Sequence, residues 1–208
     1  MDYRALSFLQ LDALREVGNI GAGNAATALS QLLNRKIQIS VPNIDVIDLQ
    51  QLMDFCSEKI VVGVMVRVLG DTPGNIIIIF EKEKAINIIE FLTGNKEKEF
   101  SEIGVSVLNE IGNIVASAYM NSITKFTGLN LLPSVPAMAY DMLGAILSTM
   151  VLEAAQYEDK VLEIKTNFIG NMETKPIGII NTEDIGADFY YIPKPGSLEK
   201  ILGALGVN

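Results

Sequence analysis

The chain has 208 residues, 25 acidic against 16 basic side chains, a formal charge of −9, no histidine, no tryptophan and one cysteine, Cys56. Its 49% apolar content fills a sizeable core in one large domain or two small fused units and excludes a disordered chain. The missing histidine excludes a Ser-His-Asp triad, a Cys-His pair and an HExxH metal site, the lone cysteine excludes an internal disulfide or Cys-rich zinc site, and the acidity argues against nucleic-acid or anionic-membrane partners.

Met1 to Gln10 lacks a basic segment followed by an apolar one and does not read as a signal peptide. Residues 11–33 read as a helix. With Leu14 at zero and 100° per residue, Gly18, Gly21, Ala25, Ala28 and Leu32 fall within about 40° of it and predict a core-facing stripe. Asp12, Glu16 and Asn19 share the opposite face. Gly21-Ala-Gly23-Asn-Ala-Ala26 fits a loose dinucleotide-binding pattern, but it continues a helix instead of following a strand. Val41-Pro42 ends this region.

Ile60 to Leu69 reads as a strand, and Asp71-Thr-Pro-Gly74 as a hairpin turn with Gly74 at a position that tolerates positive φ. Asn75 to Gly94 reads as strand, turn and helix. Its run Ile76 to Phe80 is the longest apolar stretch, far short of the ~20 residues that span a bilayer. No membrane insertion is expected, and with one free cysteine the expected compartment is the cytoplasm. Cys56 has no base of the usual type and reads as structural. Gly94 to Phe100 is a charged boundary, after which the pattern starts again.

Residues 108–114, LNEIGNI, repeat residues 14–20, LREVGNI, at five of seven positions. Val135-Pro136 follows Asn113 at the spacing with which Val41-Pro42 follows Asn19. Leu108, Gly112, Val115, Tyr119, Ser122 and Phe126 form the second core stripe, and Ser106, Glu110 and Asn113 the second polar row. Ala145 to Leu152, Val161 to Phe168 and Pro176 to Ile180 read as strands. Asp188 to Gly206 again reads strand, turn, helix. Each copy thus presents an acid and a carboxamide one turn apart on an exposed face. Common descent of two surface faces would give this, and so would a shared task. The neighbouring pair Arg15 and Asn109 diverged while the Glu and the Asn did not.

Asp12-x-x-x-Glu16-x-x-Asn19, 22 residues and then Pro42, and Ser106-x-x-x-Glu110-x-x-Asn113, 22 residues and then Pro136, resemble the signature of the CheC/CheX/FliY phosphatase family twice over. Two matches point to the two-site CheC type within it, at about the length of a stand-alone member without an appended switch domain. The resemblance implies an α/β (α+β) fold that is internally duplicated and pseudo-two-fold symmetric, with a shared β-sheet and both signature helices on one side. The expected organisation is a single CheC-like domain over 1–208, with pseudo-repeats at about 1–98 and 99–208. The activity it implies is hydrolysis of the aspartyl phosphate of the chemotaxis regulator CheY. By the same resemblance Asn19 and Asn113 are expected to orient the attacking water, Glu16 and Glu110 to dock a partner lysine, Asp12 and Ser106 to support the helix start or the interface, and Pro42 and Pro136 to shape the chain. The implied partners are phosphorylated CheY and the receptor deamidase CheD. No cofactor is expected on this chain, with Mg²⁺ on CheY. A non-catalytic adaptor that sequesters phosphorylated CheY or regulates CheD is the alternative.

Overall fold

Ser7 sets the start of the first helix. Its Oγ accepts from the Gln10 N–H at 3.3 Å, and Gln10 Oε1 accepts from the Ser7 N–H at 2.9 Å. Helix α1 (Phe8–Leu33) therefore begins three residues earlier than the apolar periodicity alone predicts. The computed structural model describes residues 6–34, 36–40, 43–48, 59–96, 99–148, 160–172, 183–184, 187–194 and 196–207. Val41-Pro42, Cys56 and the expected strand Pro176 to Ile180 lie outside the described residues.

After α1 come strands β1 (Ile37–Ile39), β2 (Asn43–Asp48), β3 (Ile60–Gly70) and β4 (Gly74–Phe80), and then helix α2 (Lys82–Thr93). The order recurs. Helix α3 (Glu102–Thr127) is capped by Ser101, whose Oγ accepts from the Gly104 N–H at 3.1 Å, and is followed by β5 (Leu131–Pro133), β6 (Ala137–Met142) and β7 (Lys160–Met172). A two-residue strand β8 (Glu183–Asp184), β9 (Ala187–Pro193) and helix α4 (Ser197–Ala204) complete it. Both long helices have 26 residues and end on a left-handed residue, Asn34 after α1 and Gly128 after α3.

The nine strands of the described residues form one sheet in the order β1-β7-β9-β4-β3-β5, with β2 also on β7, β6 also on β3 and β8 on β7. Every pairing is antiparallel. The two halves exchange strands: β1 and β2 pair with β7, and β5 and β6 pair with β3. At the centre β4 runs against β9, with Ile77 opposite Tyr190. All seven residues of β4 are buried, because both faces of this central strand are covered. That is why Ile76 to Phe80 is continuously apolar instead of alternating.

On one face Val62, Val64, Val66 and Val68 of β3, Ile76, Ile78 and Phe80 of β4, and Phe189 and Tyr191 of β9 pack beneath α1, α2, α3 and α4. Both signature helices thus lie on the same side of the sheet. On the other face Val61, Ile77, Ile79, Tyr190 and Ile192 cluster with Ile146 and Leu147. Those two residues correct one expectation. Residues 143–148 are helical where Ala145 to Leu152 reads as a strand, and 149–152 lie outside the described residues. A short apolar run has no period of its own, and here Leu143, Ile146 and Leu147, at helical spacing, turn one side to the sheet.

Two further expectations change. Phe126 is exposed, since the last turn of α3 is held through Ile123 instead. Gly74 opens β4, and the positive φ near the turn belongs to Gly70, at +102°. Gly74 is needed for close approach: a Cβ there would lie 2.8 Å from the Ile192 carbonyl oxygen.

Gly112 lets α3 sit down on the sheet. A Cβ there would come 2.4 Å from Val64 Cγ1. Val64 is fully buried and β-branched, so it has little room to turn away. Gly112→Ala gains about 1 kcal/mol of helix propensity and meets overpacking of roughly 1–3 kcal/mol. The expected result is a net destabilisation of about 1 kcal/mol by urea denaturation. A gain in stability would show that α3 does not rest on β3 this closely.

Candidate functional site

The caps at Ser7 and Ser101 fix where each long helix begins, and the apolar stripe fixes its rotation. Together they decide where the polar rows point. Leu14, Val17, Gly18, Gly21 and Ala25 of α1 are buried, as are Leu108, Ile111, Gly112, Val115 and Tyr119 of α3. On the opposite faces Asp12, Glu16, Ser106 and Glu110 are exposed, and Asn19 and Asn113 are half-buried. Every sequence-predicted site residue thus falls on one of two rows, Asp12–Glu16–Asn19 on α1 and Ser106–Glu110–Asn113 on α3.

Local bonding separates these residues. Asp12 faces Arg15 at 3.9 Å, both well exposed, a pair of little energetic weight. The Ser106 hydroxyl donates to the Glu102 carbonyl at 2.9 Å, which leaves its lone pairs to accept. Among the described residues no hydrogen bond or ion pair engages the side chains of Glu16, Asn19, Glu110 or Asn113. The residues that are identical in the two rows are therefore the ones free to meet an external group.

The second row borders a shallow groove of about 500 Å³. Asn109, Glu110 and Asn113 form its helical wall, and the β5–β6 connection, with Ser134, Val135 and Pro136, forms the other. That connection is fastened to β3: the Ser134 N–H donates to the Arg67 carbonyl at 2.9 Å, and the Arg67 N–H donates to Ser134 Oγ at 2.9 Å. Pro136 lies below the helix, its Cβ 3.8 Å from where a Cβ on Gly112 would be. It shapes the wall and offers no chemistry. Val135 stands 88% exposed at the rim. Asn109 is a groove residue that the row spacing does not pick out. Its Oδ1 is buried with no hydrogen-bond partner among the described residues, and the sequence signal was its divergence from Arg15.

A carboxylate and a carboxamide one turn apart can hold a cation and orient a water. The amide both donates and accepts but does not titrate as a base. Among the described residues no group of three or more Asp, Glu or Cys side chains could hold a metal ion, and no helix is long and apolar enough to cross a membrane. Gly21 and Gly23 of the loose dinucleotide-binding pattern lie within α1. A Cβ at Gly21 would be 2.6 Å from the Tyr119 ring, so this glycine serves helix packing.

A family model described as the CheC-like family matches residues 9–45 and 103–140, the stretches that contain the two rows. The CheY-P phosphatase CheC of Bacillus subtilis (strain 168) is 34% identical over 206 residues, covering 96% of this chain and 95% of that protein. The chain belongs to the CheC-like family. Its fold is shared with Thermotoga maritima FliY, at a TM-score of 0.73 and 20% identity over 97% of this chain and 98% of the other. CheX of Borrelia burgdorferi, solved in complex with CheY, BeF3 and Mg²⁺, aligns at a TM-score of 0.58 and 17% identity over 85% of this chain and 96% of that one. The CheC-like match thus spans both long helices and the connection that carries Val135 and Pro136.

Proposed function

We propose that this chain is a protein phosphatase that accelerates hydrolysis of the aspartyl phosphate on the response regulator CheY. The observation that carries the reading is the recurrence of a free Glu and a free Asn on the outer faces of α1 and α3. It is supported by membership of a family whose B. subtilis relative is named a CheY-P phosphatase.

The chemistry suits a chain without histidine. Hydrolysis of an acyl phosphate needs an in-line water and neutralisation of phosphoryl charge more than it needs a strong base. The partner supplies the phosphorylated Asp, its Mg²⁺ and a lysine. Asn19 and Asn113 each accept from the attacking water and donate to the phosphoryl group, so their contribution is positioning. A hundredfold acceleration asks only ~2.7 kcal/mol of them. Glu16 and Glu110 pair with the partner's lysine, a charge-assisted contact that sets the docking register as water leaves. Asp12 and Ser106 lie one turn before the Glu and support that contact from the helix side. On the family resemblance alone, CheD is proposed as a second partner, tested by co-purification of the two proteins.

The test is the decay of phosphorylated CheY in Mg²⁺ with and without this chain. Faster decay is expected. Binding without acceleration would favour an adaptor that sequesters phosphorylated CheY. The Glu16→Ala/Glu110→Ala double variant is expected to bind BeF3-activated CheY at least about tenfold more weakly, because each substitution removes a charged contact. Unchanged affinity would remove the docking role from both residues.

A further inference from the structure

We infer that Leu9 and Ile103 are the apolar anchors with which the two helices seat the CheY molecule that carries the phosphate, an inference that rests on the phosphatase reading above. Each lies three residues before the first residue of its row and seven before the Glu, within about 20° of that Glu on the helical wheel. They are exposed to nearly the same degree, 62% for Leu9 and 63% for Ile103. Scattered exposed apolar residues are ordinary and need no explanation. Here the same large aliphatic residue class recurs at the same position of both rows, while the adjacent position diverged fully, to Phe8 in one and Glu102 in the other.

The surface around Ile103 joins the site. A hollow of about 430 Å³ is lined by Ile103 and Val107 together with Ser106 and Glu110, and the last two also line the groove at Asn113. The Glu–Asn row of α3 therefore meets two apolar rims, Ile103 at its N-terminal end and Val135 across the groove. The occupant that fits is a protein surface with a cation for Glu110, an anionic group at Asn113 and apolar side chains for the end of the row and for the far rim of the groove. A phosphorylated receiver with its lysine has that chemistry. Apolar burial supplies affinity without direction, and the charged pair supplies register, so the two rims position what the row acts on.

The experiment uses the full chain carrying Leu9→Ser and Ile103→Ser together, with Phe126→Ser as the control, since Phe126 is an exposed aromatic of α3 far from the row. Affinity for BeF3-activated CheY is measured by titration, and phosphate release from phosphorylated CheY by initial rates over a range of its concentration. The double variant is expected to raise Kd and KM about tenfold while kcat stays within about twofold. Its melting temperature is expected to match wild type, as both side chains are largely exposed, and Phe126→Ser to leave Kd and KM unchanged. Unchanged Kd and KM in the double variant overturn the inference, as does a fall in kcat at constant KM. If wild type binds CheY without accelerating decay, the phosphatase reading fails, and the Kd comparison alone decides the anchors. If wild type does not bind CheY, both fall. Light scattering covers the other occupant: a wild-type dimer that the double variant dissociates, with Kd for CheY unchanged, assigns the patch to a second copy of this chain.

Discussion

Asn19→Ala/Asn113→Ala is expected to return phosphorylated CheY to its own decay rate, a loss of at least about a hundredfold in the acceleration. The same variant should bind BeF3-activated CheY as wild type does and melt at the same temperature. The reason is local. Neither carboxamide has a hydrogen-bond partner among the described residues, so truncation breaks nothing in the fold, and docking is assigned to Glu16 and Glu110. Each single variant leaves one row intact and should keep part of the activity. Asn→Asp at both positions separates shape from chemistry. An ionised carboxylate of the same size accepts but cannot donate, and it places negative charge against the phosphoryl oxygens. It should be as inactive as Ala. Acceleration that survives in the double Ala variant would sink the assignment.

Tyr119→Ala has the largest expected effect on stability. Its ring is fully buried, 4.8 Å from the Phe189 ring and 5.7 Å from the Tyr191 ring, and it fills the space that Gly21 leaves on α1. Burial also pushes its phenol pKa upward, with the Tyr191 phenol adding to the shift, so it stays neutral in the core. Truncating a large buried aromatic costs about 3–5 kcal/mol. Gly21 has no side chain to relax into the void, which places this site toward the upper part of that range. For a chain of this size the melting temperature should fall on the order of 6–20 °C, at 2–4 °C per kcal/mol. A fall of less than about 3 °C would mean that the two long helices do not meet through this ring. The contact also explains a difference between the copies. At matched positions α1 has Gly21 and Ala25 where α3 has Val115 and Tyr119, small against large. Two identical helices would either leave a void or collide at this contact.

Both polar rows were legible in the sequence because helical phase is local: 3.6 residues per turn and a stripe of small apolar residues suffice to place Glu16 and Glu110 outside. The strand at 161–168, the central strand at 75–80 and the terminal strand–turn–helix were legible from short apolar and β-branched runs bounded by turn residues. The exchange of strands between halves was not. A β-branched run such as Ile60 to Leu69 records that it is buried, not which partner covers it, and β3 and β7 each pair with strands distant in sequence. The groove wall at Ser134 and Val135 was equally hidden, since the long-range pairing of β5 and β6 with β3, together with the Arg67–Ser134 hydrogen bonds, brings the β5–β6 connection beside α3. Residues 145–148, part of the helical turn 143–148, read as a strand because so short a segment carries too little periodicity to separate the two. Helix α1 read three residues short because its start depends on a cap at Ser7, not on the apolar stripe.

Turnover separates a phosphatase from an adaptor, and phosphate release counts it. Phosphorylated CheY in Mg²⁺ would be mixed with this chain at about one hundredth of its concentration, and inorganic phosphate followed in time. Release faster than CheY achieves alone is expected, with many phosphates per chain and no acceleration by the Asn19→Ala/Asn113→Ala variant. A rate equal to that of CheY alone, or a burst that stops at one or two phosphates per chain, would contradict it.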